Sequence, residues 1–397
     1  LRAPAIRAGA TQMDNFSLPV PNTYAPPAAP QRSALRTMLV VVCVLVALLL
    51  GLLTLLLIGL GTGLVPLLIG FVLATLPVPL YVALALWIDR FEPEPPWTLA
   101  TAFFWGALVA VFIAFVLNTL GGAIVGAIFG DNAGEFFASV VSAPVVEETF
   151  KALVLFGLFY WKRDEFDGVI DGIVYAAMVG LGFAMTENVQ YYGRALHEGG
   201  IAGSLALFIL RGLMAPFSHP LFTSMTGIGL GIASQSGRRA VQILAPLAGL
   251  FVAVSLHGLW NLSASINGLL YFAVYFFIMM PIFVAVLVTI YFALQREGRV
   301  VREHLLCDLQ QGLFTAQEYE CLCSVRGRMG MSWRAWRAGG VSLWRARARY
   351  NSAASELAFH RARIARGLAA QDEAARAREE FYRRALFELG ARVGAAR

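Results

Sequence analysis

Glu147-Glu148-Thr149-Phe150-Lys151 lies inside 136–161, an otherwise almost unbroken apolar run that reads as a membrane-spanning helix. An ordinary anchor carries no such group of ionisable residues. A charged side chain at the bilayer centre costs roughly 2.5–3.5 kcal/mol on insertion scales, so intramembrane carboxylates persist mostly where they face a bundle interior and do chemistry, transport or pairing. Glu187, His219 and His257 with Asn261 stand at comparable depth in other apolar runs.

The composition around this stretch agrees with a membrane setting. With 58% hydrophobic and 14% charged residues, the 397-residue chain lies outside the range of soluble globular proteins. The expected fold is all-α, a polytopic membrane bundle. Hydropathy places about eight spans, near 37–60, 64–88, 99–128, 136–161, 168–192, 202–236, 241–262 and 267–294. Breaks are expected at Gly121-Gly122 in the third and at Pro216 in the sixth. The first apolar run is too long for a cleavable leader and is followed directly by another.

Positive charge collects at the tails and at alternate loops. Arg32 and Arg36, Lys162-Arg163, Arg238-Arg239 and Arg296, Arg299 and Arg302 flank spans on one side, which the positive-inside rule makes cytoplasmic. Both termini then lie in the cytoplasm. The pI of about 9.3 reflects these flanking arginines, so nucleic acid is not an expected partner; the lipid bilayer is. Three parts follow: a disordered N-terminal tail 1–36, a transmembrane domain 37–294 and an Arg-rich helical cytoplasmic tail 295–397 with a break at Gly339-Gly340. In the tail, Trp333, Trp336 and Trp344 among arginines fit either a segment against anionic headgroups or a small solvated helical bundle. Cys321-Leu322-Cys323 is too short a pattern to define a metal site. The acidic, proline-stiffened segment 87–97 reads as a topological clamp.

Helical spacing organises the polar groups. Glu147 and Lys151 share one face and Glu148 pairs with Lys151 at i, i+3, so the lysine can compensate one carboxylate while the other stays available. His257 and Asn261 share a face of the seventh span, and Phe183 and Glu187 share one of the fifth, beside the small-residue surface of Gly180 and Gly182. The topology allows all four elements to meet in the outer half of the membrane. Carboxylate, imidazole and amide together suit peptide hydrolysis by an activated water. Two histidines with one or two glutamates also suit Zn²⁺. A proton or ion path, as in a coupled transporter, and structural polar contacts remain the alternatives. Other intramembrane protease types lack their parts here: there is no H-E-x-x-H, no G-x-G-D and no G-x-S-x-G.

Several motifs together resemble the PrsW family of bacterial intramembrane endopeptidases, distant relatives of the CAAX prenyl proteases. They are Glu147-Glu148-x-x-Lys151; Asp167-Gly168-x-x-Asp171-Gly172 leading to Tyr175 and Gly180-x-Gly182-Phe183-x-x-x-Glu187-Asn188; Phe217-Ser218-His219-Pro220 with Thr223; and His257-x-x-x-Asn261. They cover about 87–265 in the expected order. The resemblance implies a glutamic-type or metal-dependent protease of the bacterial plasma membrane, cutting a membrane-anchored substrate such as an anti-sigma factor on its extracytoplasmic side. By the same resemblance Glu147 and Glu148 would activate water with Lys151 as charge partner, and Glu187 would position that water. His219, His257 and Asn261 would bind the substrate carbonyl or a metal. Phe183, Asn188 and Thr223 would support them. If zinc is used, Glu148, Glu187, His219 and His257 are the expected ligands.

Overall fold

The computed structural model describes residues 34–162, 166, 168–367 and 370–394. Residues 1–33 of the expected disordered tail, and Arg163 and Asp167, lie outside the described residues; 34–36 are helical. Among the described residues there is no strand. The chain divides into two units, Leu1–Val46 and Ala47–Arg397. The described part of the first is helical and exposed. All site and tail residues belong to the second.

In chain order the helices are α1 (Ala34–Thr62), α2 (Leu64–Thr75), α3 (Val78–Ile88), α4 (Pro96–Phe129), α5 (131–161), α6 (Val169–Leu207), α7 (Ser218–Ser234), α8 (Arg239–Ile266) and α9 (Gly268–Gln310). The tail adds α10 (Ala316–Leu322), α11 (Val325–Ala365) and α12 (Glu373–Gly394). Six segments among the described residues are long and apolar enough to cross a membrane, which supports the polytopic bundle but not a count of eight. Expected spans five and six fall in one of these six, Val169–Ser234. Helix α5 is not among them, because Glu147, Glu148 and Lys151 interrupt its apolar run.

The chain doubles back inside Val169–Ser234. In an unbroken helix residues 192 and 204 would stand about 18 Å apart, yet Ser204 Oγ donates to the Tyr192 carbonyl at 3.0 Å. The reversal is at Gly200, whose φ of 65° is open to glycine at little cost. The returning arm is broken again at 215–217, as Pro216 predicts. The two arms are the core of the bundle: this segment is 78% buried in its most apolar stretch, against 28% or less in the other five.

Glycines set how closely the arms approach. A Cβ on Gly172 would lie 2.0 Å from the Gly227 carbonyl oxygen, and one on Gly180 would lie 2.7 Å from the Pro220 nitrogen. Close approach of this kind substitutes for the hydrophobic drive that lipid removes. Gly121-Gly122 does not break α4. These glycines instead form a contact face, where a Cβ on Gly122 would stand 3.2 Å from the Gly134 carbonyl oxygen of α5.

Three π-helical turns lie near the site, at Trp105–Ala110 in α4, Phe137–Ser142 in α5 and Phe208–Met214 after α6. Each has a carbonyl that a side chain from another element caps: Thr186 Oγ1 donates to Ala107 O at 2.7 Å, Asn261 Nδ2 to Ser139 O at 2.8 Å, and the Tyr81 hydroxyl to Gly212 O at 2.7 Å. Backbone polar groups in hydrocarbon need such partners. Pro144 and Pro216, lacking an N–H, help to explain why two of these carbonyls need side-chain donors.

The segment 87–97 is tied to the bundle by hydrogen bonds of its buried carboxylates. Asp89 Oδ2 accepts the Glu94 amide at 2.7 Å, and the Tyr175 hydroxyl donates to Glu94 Oε2 at 2.6 Å. Burial pushes the Asp89 carboxyl up to about 8, against the lowering effect of the Glu94 amide, and the charge of Asp171 adds to the rise. A folded-state pKa above the unfolded value means stabilisation that is complete below about pH 4 and lost as pH climbs through about 8. Unfolding midpoints in detergent should therefore fall more between pH 5 and 8 for the native chain than for Asp89→Asn; equal falls would refute this.

The tail helices pack on the end of α9 and on this segment. Asp308 accepts from Arg361 and Arg383, and the Arg328 guanidinium lies 4.3 Å from the Phe91 ring centroid. Tyr350, Leu357 and Leu386 are buried, so the tail has a bundle core, while Trp333 and Trp336 stack on its surface with ring centroids 5.0 Å apart. Gly339 and Gly340 interrupt α11 where the sequence places the break. Cys321 and Cys323 carry free thiols.

Candidate active site

Helix α5 presents three polar side chains to the interior. Glu147, Glu148 and Lys151 are all buried, Lys151 completely. The lysine binds both carboxylates, with Nζ 2.8 Å from Glu148 Oε1 and 3.5 Å from Glu147 Oε2. Its other neighbours come from α6 and α7: Nζ lies 3.8 Å from the Phe183 ring centroid and 3.0 Å from His219 Nδ1. An ammonium in an apolar bundle is tolerated when charges and π faces surround it in this way.

Two histidines stand across from the pair, each held at its outer nitrogen by a carboxylate. His257 Nδ1 lies 3.1 Å from Glu148 Oε1, leaving Nε2 directed toward Glu147 Oε2 at 3.9 Å. His219 Nε2 lies 2.8 Å from Glu187 Oε2. A carboxylate on the far nitrogen fixes the tautomer and the ring plane, and it is the usual way a reactive or ligating imidazole is aimed. The rings are 5.4 Å apart, and Phe222 stacks on His257 at 5.0 Å.

The two glutamates differ in how fully they are bonded. Glu148 is saturated, since its other oxygen accepts from Thr223 Oγ1 at 2.9 Å. Glu147 Oε1 has Asn118 Nδ2 at 3.5 Å, and Ser142 Oγ in turn donates to Asn118 Oδ1 at 2.8 Å. Glu147 Oε2 is buried without a hydrogen-bond partner. A buried carboxylate oxygen left unbonded is costly unless a ligand completes it.

The same geometry tests a metal. Glu147, His219 and His257 each offer a ligand atom within 4.8 Å of the others. Two imidazoles and a carboxylate oxygen are a donor set suited to Zn²⁺, and the orphaned Glu147 oxygen fits it. Of the expected ligands, His219 and His257 fall in this group with Glu147, whereas Glu148 and Glu187 each contact one ring nitrogen of a histidine.

Glu147, Glu148, Lys151, Phe183, Glu187, His219, Thr223 and His257 are therefore brought together. Asn261 and Asn188 are not in this contact group: the Asn261 amide donates to Ser139 O, and Asn188 Oδ1 accepts from Arg211 Nε at 2.7 Å. Two residues went unread in the sequence. Arg211 binds Glu187 at 2.5 Å, and Asn118 supports Glu147. Each is a polar residue in an apolar run, which was the available signal.

A small polar pocket of about 30 Å³ reaches His219 between Asn188 and Arg211. It shares Tyr81, Leu181 and Pro216 with an apolar groove of about 470 Å³ between α3, α7 and α9, whose rim residues Leu84, Leu287 and Tyr291 are exposed.

Residues 94–286 match the sequence model described as PrsW family intramembrane metalloprotease. Over 176 residues the chain is 32% identical to a protein named Protease PrsW from Geobacillus kaustophilus, covering 44% of this chain and 69% of that one. It is 31% identical over 152 residues to Protease PrsW of Bacillus subtilis, covering 38% and 63%, and 29% identical over 168 residues to that of Oceanobacillus iheyensis, covering 42% and 70%. The chain thus spans about two thirds of the length of these relatives. No solved structure matches it. With Glu147, Glu148, Lys151, Glu187, His219 and His257 of the motifs in one buried cluster and this similarity across 94–286, the chain belongs to the PrsW family of intramembrane metalloproteases.

Proposed function

We propose that the chain hydrolyses a peptide bond of a membrane-anchored protein at a centre formed by Glu147, His219 and His257, with Zn²⁺ held by these three. The observation that carries the reading is the unbonded Glu147 Oε2 facing two histidines that are each aimed by a second carboxylate. When bound, such an ion supplies Lewis-acid polarisation of the scissile carbonyl and a water nucleophile at neutral pH.

The chain's own residues prepare the centre. Glu148 accepts a hydrogen bond from His257 Nδ1–H, so that the Nε2 lone pair faces inward. Glu187 plays the same part for His219. Lys151 offsets the charge of Glu148, while Asn118 steadies Glu147 through the oxygen that faces away from His257. The enclosing apolar walls keep bulk water out and strengthen each of these interactions. The exposed apolar groove beside the His219 pocket supports a substrate that approaches from the lipid side. Arginines at alternate loops support cytoplasmic termini, and the family resemblance implies an anti-sigma factor as one substrate of this class.

A second reading has its own observation. Lys151 Nζ occupies His219 Nδ1 at 3.0 Å, as it would if no ion were needed there. Glu147 Oε2 would then take the water's proton directly, as a general base. Chelation separates the two. Purified chain stripped of metal should lose cleavage of a single-span reporter and regain it with stoichiometric zinc; cleavage that persists through dialysis against a strong chelator would reject the metal reading.

A further inference from the structure

Arg211 is a charged side chain beside the site that the proposed chemistry leaves unused. It sits in the π-helical turn Phe208–Met214, inside an apolar run where a charge costs roughly 2.5–3.5 kcal/mol on insertion scales. Its contacts are specific. Nη2 donates to Glu187 Oε2 at 2.5 Å, Nε donates to Asn188 Oδ1 at 2.7 Å, and Cζ lies 3.8 Å from the Tyr191 ring centroid. One guanidinium thus holds three side chains on a single turn of α6.

The oxygen that Arg211 binds is the one that His219 uses. Glu187 Oε2 also lies 2.8 Å from His219 Nε2. Arg211 and His219 stand on opposite sides of the break at 215–217, and the turn carrying the arginine is anchored by the Tyr81 hydroxyl on Gly212 O and by the Tyr275 hydroxyl on Met214 O at 2.8 Å. A carboxylate with one partner can rotate about its last torsion. A planar fork that engages Glu187 and Asn188 together removes that freedom, and an ammonium lacks this geometry.

We infer that Arg211 is a positioning residue that fixes His219 through Glu187, and so determines which ring nitrogen of His219 is turned toward Glu147. This rests on the reading of Glu147, His219 and His257 as the reaction centre. Arg211 itself touches neither the substrate nor the reacting atoms.

A double-mutant cycle on the purified full chain tests it. Arg211→Lys keeps the charge and removes the fork, and Glu187→Gln keeps the shape and removes the charged acceptor. Two quantities are read: kcat and KM on a single-span membrane reporter, and zinc affinity by competition with a chromophoric chelator. Arg211→Lys is expected to lower kcat and zinc affinity by about 10–100-fold, the usual effect of losing an outer partner of a ligating histidine, with KM unchanged. The double variant should be no worse than Glu187→Gln alone, because the arginine acts through that carboxylate.

Native kcat and zinc affinity in Arg211→Lys would overturn the inference. So would a fall confined to KM, which would mean substrate contact, or two single effects that multiply in the double variant, which would mean independent roles. The two readings fail separately. Chelation without effect sinks the metal and leaves the kcat cycle to decide on Arg211, whereas multiplying effects sink Arg211 and leave the metal standing.

Discussion

Glu147→Gln is expected to lower cleavage of a membrane-anchored reporter by at least about 10²-fold, whether Glu147 holds the zinc or takes the water's proton, while the unfolding midpoint holds or rises. The two adjacent glutamates are unequally bonded. Glu147 Oε2 is buried with no hydrogen-bond partner, so replacing its charge removes a desolvation cost and gives up only the longer contacts with Lys151 at 3.5 Å and His257 at 3.9 Å. Glu148 is bonded by Lys151, His257 and Thr223. Removing that charge leaves a buried ammonium short of its main partner, and Glu148→Gln should cost about 3–5 kcal/mol of stability along with activity. A purely structural role for the pair predicts the reverse for Glu147, namely lost stability with cleavage intact in whatever folds. Parallel melting curves and cleavage assays on the two variants decide between them.

Gly182→Val should prevent the bundle from assembling. A Cβ at this position would lie 2.0 Å from the Phe103 carbonyl oxygen and 2.9 Å from its carbon, and Gly106 opposes Val179 O at 2.2 Å in the same crossing. Backbone stands against backbone, so no rotamer change relieves the clash and α4 must move away from α6. The cost is at least the ~1–3 kcal/mol of ordinary overpacking. It is also felt at the site, because Phe183, the next residue, lies against Lys151. Gly330 is the contrast. A Cβ there meets nothing within 4 Å, and Gly330→Ala should stabilise the tail helix by about 0.4–1 kcal/mol. Comparable yields and melting points for the two variants would show that the α4–α6 crossing is not set by this contact.

Hydropathy made the bundle legible, and the energetic cost of charge in hydrocarbon made the site legible. Glu147, Glu148, Lys151, Glu187, His219 and His257 stand out for that reason, and they meet. Residues that act through tertiary contact were not legible in the same way. Arg211 is a charge in an apolar run, yet no helical period links it to Glu187, 24 positions earlier, because the chain reverses at Gly200 between them. The π-helical turns have no compositional signature, so the partner of Asn261 was hidden. Spacing put Asn261 on the face of His257, but the carbonyl of Ser139 in the turn before Glu147 takes its amide. At Gly121-Gly122 the signal itself was ambiguous, since the same pair that weakens a helix also lets another helix approach.

If Glu147, His219 and His257 form one zinc-binding reaction centre, zinc-edge X-ray absorption on the purified chain will reveal it. One equivalent of zinc per chain is expected, with nitrogen and oxygen neighbours at about 2.0–2.2 Å, lost in Glu147→Gln and in His257→Ala. Sulfur neighbours at about 2.3 Å, which would place the ion at Cys321 and Cys323, or a fully active chain without zinc, would contradict it.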